Sequence, residues 1–392
     1  MSDSHHPSPG SPHGSPRSAE LVLTELPPGP DAAGPAHSPA RPAEHRGQAP
    51  RRHPVPPAAF WRELGLHILI PFFLAAGMGL AYLGAFHEPE PTHLPVAVVG
   101  TGVSTEAFAQ QLHDSLPGAL DVRTVADSGE ARGLIKDRIV AAAYEPGQTQ
   151  AALYVSSADS ATTAEIAKKV FQPVAFGQHL PLEIIDVVPT NQHDPTSQGL
   201  FFLLVGMSVG GYSSAVAISA VASGISVLWR AAVTVASSAV IAAMGVIIAG
   251  PIYGILEHSQ FSIWLLSWLY VLTIALLGVA LHPVLRKWTT PTLTLLFVML
   301  NFTSSGGIFT AHTLPPFFAA LGTFWNGAAW LHAAQSLVYF PGQTFGTDGL
   351  KLALWLVAGS LLLALTHFWS IRRIRLADEL AGVREDEEGI AA

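Results

Sequence analysis

The sequence predicts a polytopic α-helical membrane protein of about six transmembrane helices, with an extracytoplasmic α/β domain inserted between the first and the second. Three observations predict it. Of 392 residues 49% are hydrophobic and only 12% charged, with a mean hydropathy of +0.38, well outside the soluble globular range. Residues 199–375 are almost empty of charge: Arg230 and Glu257 alone occur in 199–285, and Asp348 and Lys351 alone in 288–370. Residues 87–198, by contrast, return to a soluble composition with alternating apolar runs and helical patterns.

Taken in order, residues 1–57 are a cytoplasmic tail of Pro, His, Ser, Ala and Gly. Such a composition buries too little apolar surface to offset the entropy of ordering, so the tail is read as disordered. Its scattered histidines and its one apolar patch, LVLTEL at 21–26, are read as having no special role. Residues 60–86 form transmembrane helix 1: Phe60, Trp61, Arg62 and Glu63 mark an interfacial entry, and 64–86 carry no charge. The stretch begins too far into the chain and is too long for a cleaved signal peptide, so it is expected to stay as an anchor. Pro71 should kink it.

Within 87–198, apolar runs at 96–99, 122–125, 139–144, 152–155 and 184–188 read as strands, and 105–116, 128–137 and 161–176 as helices. That alternation argues for a mainly parallel sheet, with a hairpin across Glu145-Pro146-Gly147-Gln148. In 199–375, helices 2–6 are placed at 200–228, 231–256, 261–281, 292–309 and 352–371. The stretch 311–349 is apolar but broken by Pro315, Pro316, Gly322, Gly327, Pro341 and Gly342. It suits a re-entrant or interfacial segment better than a span. Residues 376–392 are an acidic cytoplasmic tail.

Basic residues beside span ends set orientation. Arg51, Arg52 and Arg62 precede helix 1, Arg230 lies between helices 2 and 3, Arg286 and Lys287 follow helix 4, and Arg372, Arg373 and Arg375 follow helix 6. With about six spans all fall on one side, which places both termini in the cytoplasm of a multi-pass cell-membrane protein.

The chemistry the chain lacks is equally informative. No GxxxxGK[ST] phosphate loop occurs, so nucleotide hydrolysis by that route is excluded, and the chain is read as a non-enzyme without cofactor. Val99-Gly100-Thr101-Gly102 has Thr105 where a dinucleotide fingerprint needs its third glycine, and reads as a plain strand-to-helix turn. No cysteine exists, hence no disulfide or thiolate site. His87, Glu88, Glu90 and His93 read as a solvated linker rather than a metal site, and His282, His312, His332 and His367 as packed or interfacial rather than as a proton relay. No basic footprint for nucleic acid appears. The predicted spans carry no charge, whereas ion-coupled carriers keep charged groups near the midplane at a cost of about 2.5–3.5 kcal/mol each. Energy for any transport therefore has to come from another polypeptide. Gly206, Gly210 and Gly211 let a helix approach closely; a subunit interface would leave the same pattern, and an internal helix pair is the reading taken.

The run Asn301-Phe302-Thr303-Ser304-Ser305-Gly306-Gly307-Ile308-Phe309, then Leu314-Pro315-Pro316-Phe317-Phe318, resembles the fifth span and outer re-entrant segment of type-2 ABC exporter permeases, in the phage-infection-protein-like branch. The segment from Asp194-Pro195 to Gly210-Gly211-Tyr212 and the domain opening Leu94-Pro95-Val96 are similar to the same branch, although Thr310 stands where its pattern has proline. The resemblance implies a permease subunit in the bilayer that pairs as a homodimer or heterodimer and works with a separate cytoplasmic ATPase to move an amphiphile, drug, lipid or polymer outward. It implies an ATPase-coupling turn at Ser223, Gly224, Ser226, Trp229 and Arg230, and an outer gate from Gly306, Gly307, Phe309, Leu314, Pro315, Phe317 and Phe318. The alternative is a non-transporting receptor or scaffold whose α/β domain binds a partner, with an ion-coupled carrier ranking third.

Overall fold

The computed structural model describes residues 58–221 and 224–391; the Pro/His/Ser-rich tail lies outside them. Helix α1, Ala58–Phe86, runs unbroken through Pro71. It is peripheral: Ala85 is its one fully buried residue, while Phe72, Leu80 and Leu83 are more than 60% exposed.

The inserted domain has strands β1 (Leu94–Val99), β2 (Leu120–Val125), β3 (Ala142–Glu145), β4 (Ala151–Val155) and β5 (Leu182–Asp186). Helices α2 (Val103–Ser115), α3 (Ser128–Lys136) and α4 (Ser157–Gly177) connect them. The sheet order is β2-β1-β3-β4-β5, parallel except for the antiparallel β3–β4 pair. The turn after Glu145 closes that hairpin, and β3 starts three residues later than the apolar run at 139–144 suggests. Side chains alternate across β1 as the pleat requires. Val96 and Val98 pack with Leu112 and Phe171 under α2 and α4, and Ala97 and Val99 with Ala131 and Ile135 under α3. Between β1 and α2, Gly100 and Gly102 take φ of +140° and +102°, backbone that only glycine adopts freely. This is the plain strand-to-helix turn.

Five helical runs are long and apolar enough to cross a membrane: Ala58–Phe86, Gly199–Val221, Val227–Ile252, Gln260–Ser304 and Gly346–Arg373. The second is α5, Gly199–Val221. Its first amides at Gln198 and Gly199 are held by the Asp194 carboxylate at 3.0 and 2.9 Å, which satisfies donors an opening turn leaves free. It ends at Val221, short of the expected 228, and α6 (Val227–Ile247) begins four residues earlier than expected because Ser226 caps it by accepting from the Trp229 amide. Trp229 and Arg230 thus belong to the first turn of α6, not to a linker. At Ile248–Ile252 the helix widens into a π turn, where Pro251 has no amide to donate.

The fourth run is two helices folded back on each other. Helix α7 (Gln260–Leu285) stops at Arg286, whose φ of 51° leaves helical space. The return strand of helix comprises α8 (Thr289–Thr294), a π turn at Leu295–Met299 and α9 (Leu300–Ser304). Their antiparallel register is plain from Thr289 against His282 (3.2 Å) and Asn301 against Tyr270 (2.8 Å), at increasing distance from the turn. Span 292–309 is a correction: helix ends at Ser304, because Gly306 takes φ +82° and Gly307 lies against the Phe201 ring. Residues 305–310 are extended or bent.

The broken segment forms α10 (Pro316–Gly322) and α11 (Asn326–Tyr339), the latter almost wholly buried. The last helix, α12 (Gly346–Ala391), has 46 residues, about 69 Å of helix against a hydrocarbon core of about 30 Å. It begins before the expected 352 and continues through the acidic tail. Leu350, Leu354, Val357, Leu361, Leu365 and Phe368 stand exposed along it at helical spacing. An uncovered apolar stripe of that length is untenable in water and natural against acyl chains.

Helices α5, α7 and α12 all start at the end of the bundle beside the α/β domain and run away from it. We refer to the domain end and the far end accordingly.

Candidate functional site

At the domain end, helix α4 grips the loop after α9. Thr162 Oγ1 donates to the Ile308 carbonyl, and Thr163 Oγ1 lies 3.0 Å from Thr310 Oγ1. Three of the expected gate residues meet here. Gly306 turns the chain, Gly307 accommodates Phe201 where any side chain would collide, and Phe309 packs on Phe86 at 5.6 Å. Phe86 and Tyr82 continue onto Phe302, so an aromatic cluster closes over the end of α1. Leu314 is buried and Pro315 starts α10, while Phe318 reaches the α1 backbone near Gly84. Phe317 does not join them; it is 65% exposed. Of these residues Phe309 and Phe318 therefore pack about the end of α1.

A second contact ties the same domain to α11. Arg138 donates from Nε to Asp159 Oδ1 (2.6 Å) and from Nη2 to Gln335 Oε1 (2.8 Å), and Gln335 Nε2 donates to the Asp159 carbonyl (3.2 Å). The guanidinium lies 5.1 Å from the Phe340 ring centre. Arg138 and Asp159 side chains are only 18% and 24% exposed, so this pair is more than a surface bridge. Sequence reasoning missed Arg138, Asp159 and Gln335 altogether.

Inside the bundle a directed chain of hydrogen bonds crosses four helices. Ser208 on α5 donates to its own Leu204 carbonyl (2.8 Å), so Tyr270 of α7 must donate to Ser208 (2.6 Å) and accept from Asn301 Nδ2 (2.8 Å). Asn301 Oδ1 then accepts from the Gly327 amide at the start of α11 (3.1 Å). Glycine is required at 327, since a Cβ would run into Asn301. Beside it Trp330 Nε1 donates to Ser267 Oγ (3.3 Å). The buried polar groups of one of the motif residues, Asn301, thus hold the start of α11 within the bundle.

No relative identifies the chain. Compared with protein-family profiles, curated proteins and solved structures, it matches none of them.

At the far end, Gly224 is exposed with nothing within 4 Å of where a Cβ would stand, and Trp229 is 68% exposed. Ser226 caps α6 and Arg230 faces a cavity between helices; Ser223 lies outside the described residues. Of the packing glycines, a Cβ on Gly210 would come 2.8 Å from Ile241 of α6 and one on Gly211 3.3 Å from Ile274 of α7. Gly206 instead opens on an apolar cleft of about 510 Å³ between α5 and α6. Among the described residues no three potential ligands gather around a metal position.

Proposed function

We propose that this chain is the membrane permease subunit of a type-2 ATP-driven exporter, acting with a separate cytoplasmic ATPase and a second permease subunit to move an amphiphile, drug, lipid or polymer outward. The observation that carries the reading is the layout of the bundle. Apolar helices free of midplane charge join a short, exposed turn before α6 at one end to a domain-held loop at the other, in a chain with no phosphate loop. The antiparallel hairpin of α7 with α8–α9 supports counting six crossings. Arg62, Arg230, Arg286, Lys287, Arg372, Arg373 and Arg375 then all lie toward the far end, which supports a cytoplasmic far end and an extracytoplasmic α/β domain. The resemblance around Asn301 and Gly306-Gly307 supplies the family, and Gly224, Ser226, Trp229 and Arg230 the surface on which an ATPase would push.

Gly224→Trp tests it, because a Cβ at this exposed position would meet no described residue within 4 Å. The expected result is a native-like unfolding midpoint together with loss of a co-purifying ATPase and of ATP-dependent efflux. Retention of export by this variant, or the absence of any ATPase from the purified protein, contradicts the proposal. The receptor or scaffold reading is favoured by a cleft of about 880 Å³ between the α/β domain and the chain before α12, lined by Lys136, Val187, Tyr339 and Gln343. On that reading Gly224→Trp is silent.

A further inference from the structure

The far-end cavity has a volume of about 460 Å³ and is walled by α5, α6, α7 and α12. Arg230 reaches it from the first turn of α6, and its guanidinium meets no acceptor among the described residues; Nε is sealed from solvent without a partner. Ser219 Oγ, from α5, is likewise enclosed and unpartnered. Among the described residues that line the space none is acidic, whereas His282 and His367 border it. Thr366 and Ser370 also border it, but each donates its hydroxyl to its own helix, at 3.0 and 2.8 Å. Among the described residues the free donors are thus those of Arg230, Ser219 and Ser226, whose oxygen accepts from Trp229 and whose proton is unspent. The positive end of the α6 dipole adds to them. Enclosed charge is normally paired, and among the described residues that line this cavity none supplies a counter-charge.

The geometry points to a binding site for a phosphate-bearing anion, held by Arg230 with Ser219 and Ser226. The opposite wall is apolar, formed by Val279, Leu363 and Ile371, and Thr366 also borders a second, mostly apolar cavity of about 640 Å³ against Phe368 and Trp369. A headgroup in the first cavity with its chains against the second uses both. The site does not depend on the exporter reading, since phosphate-bearing lipids occur in either leaflet.

The test is binding to the purified full-length chain in neutral detergent, read by thermophoresis, with short-chain phosphatidylglycerol, short-chain phosphatidylcholine and inorganic phosphate as probes. Phosphatidylglycerol is expected to bind roughly tenfold more tightly than phosphatidylcholine, and Arg230→Gln to weaken it by roughly tenfold or more, as loss of a charge-assisted hydrogen bond entails. Arg230→Lys should fall between, keeping the charge but not the fork. Displacement by inorganic phosphate assigns the site to free phosphate; phosphatidylglycerol binding that phosphate does not displace assigns it to a lipid headgroup. Ser219→Leu, which fills the cavity from α5, must lower the affinity as well and serves if Arg230→Gln does not fold. Equal binding of the two lipids, or unchanged phosphatidylglycerol affinity in the variant that folds, overturns the site.

Discussion

Replacing Asn301 with leucine is expected to destabilise the bundle by about 2–3 kcal/mol while leaving its volume nearly unchanged. Interhelical hydrogen bonds in membranes average only about 0.6 kcal/mol, because the separated helices find other partners. Asn301 is different in kind. Its carboxamide serves the Gly327 amide, which opens a helix buried inside the bundle, and its Nδ2 donates to Tyr270 and to the Phe297 carbonyl. Without it the buried Gly327 N–H has no acceptor, and such an orphan costs about 1–3 kcal/mol by itself. Ser208→Ala removes only one hydroxyl from the end of the same chain and is expected to cost about 0.6 kcal/mol. Unfolding in mixed micelles checks both, and equal losses would show that Asn301 is an ordinary packing residue.

The second large effect is expected at Arg138. Arg138→Ala leaves the Asp159 carboxylate about three-quarters enclosed and Gln335 without its donor. Breaking a fully buried pair costs about 3–5 kcal/mol; the residual exposure of both partners reduces that to about 2–3 kcal/mol here. The loss should be local. Hydrogen exchange is expected to quicken in 305–310 and in α11, which the domain holds through Thr162, Thr163 and Arg138, and to stay slow in the β1–β3 core. Uniform quickening throughout the chain would mean that Arg138 supports the domain itself, not its attachment.

Much of this architecture was legible in the residues. The continuous apolar runs of β1, β3 and β4, the Pro-Gly turn after Glu145 and the charge-free stretches each follow from local chemistry, and the five apolar helical runs correspond to the last of these. Helix ends were less legible, because apolarity continues where hydrogen-bond geometry does not. Ile308 and Phe309 are as apolar as a span requires, yet the chain has left the helix at Gly306. The start of α6 was missed for the opposite reason, a cap at Ser226 outweighing the charge at Arg230. The Arg138 contact left no local trace: its partners lie 21 and 197 residues away, and its φ of 58° occurs at a residue type that rarely takes it. Of the gate motif, Gly306, Gly307 and Phe309 come together, but nothing in Pro-Pro-Phe-Phe distinguishes Phe318, which packs on α1, from Phe317, which does not.

The account rests on the charge-free bundle separating an outward α/β domain from an inward turn, and the absence of cysteine from the chain makes this directly measurable. Lys169, exposed on α4, and Gly224 are each replaced by cysteine and treated in intact cells with a membrane-impermeant maleimide. The account predicts labelling at position 169 in intact cells, and at position 224 only after permeabilisation. Labelling at 224 with protection at 169 would invert the topology and remove the surface on which a cytoplasmic ATPase could act.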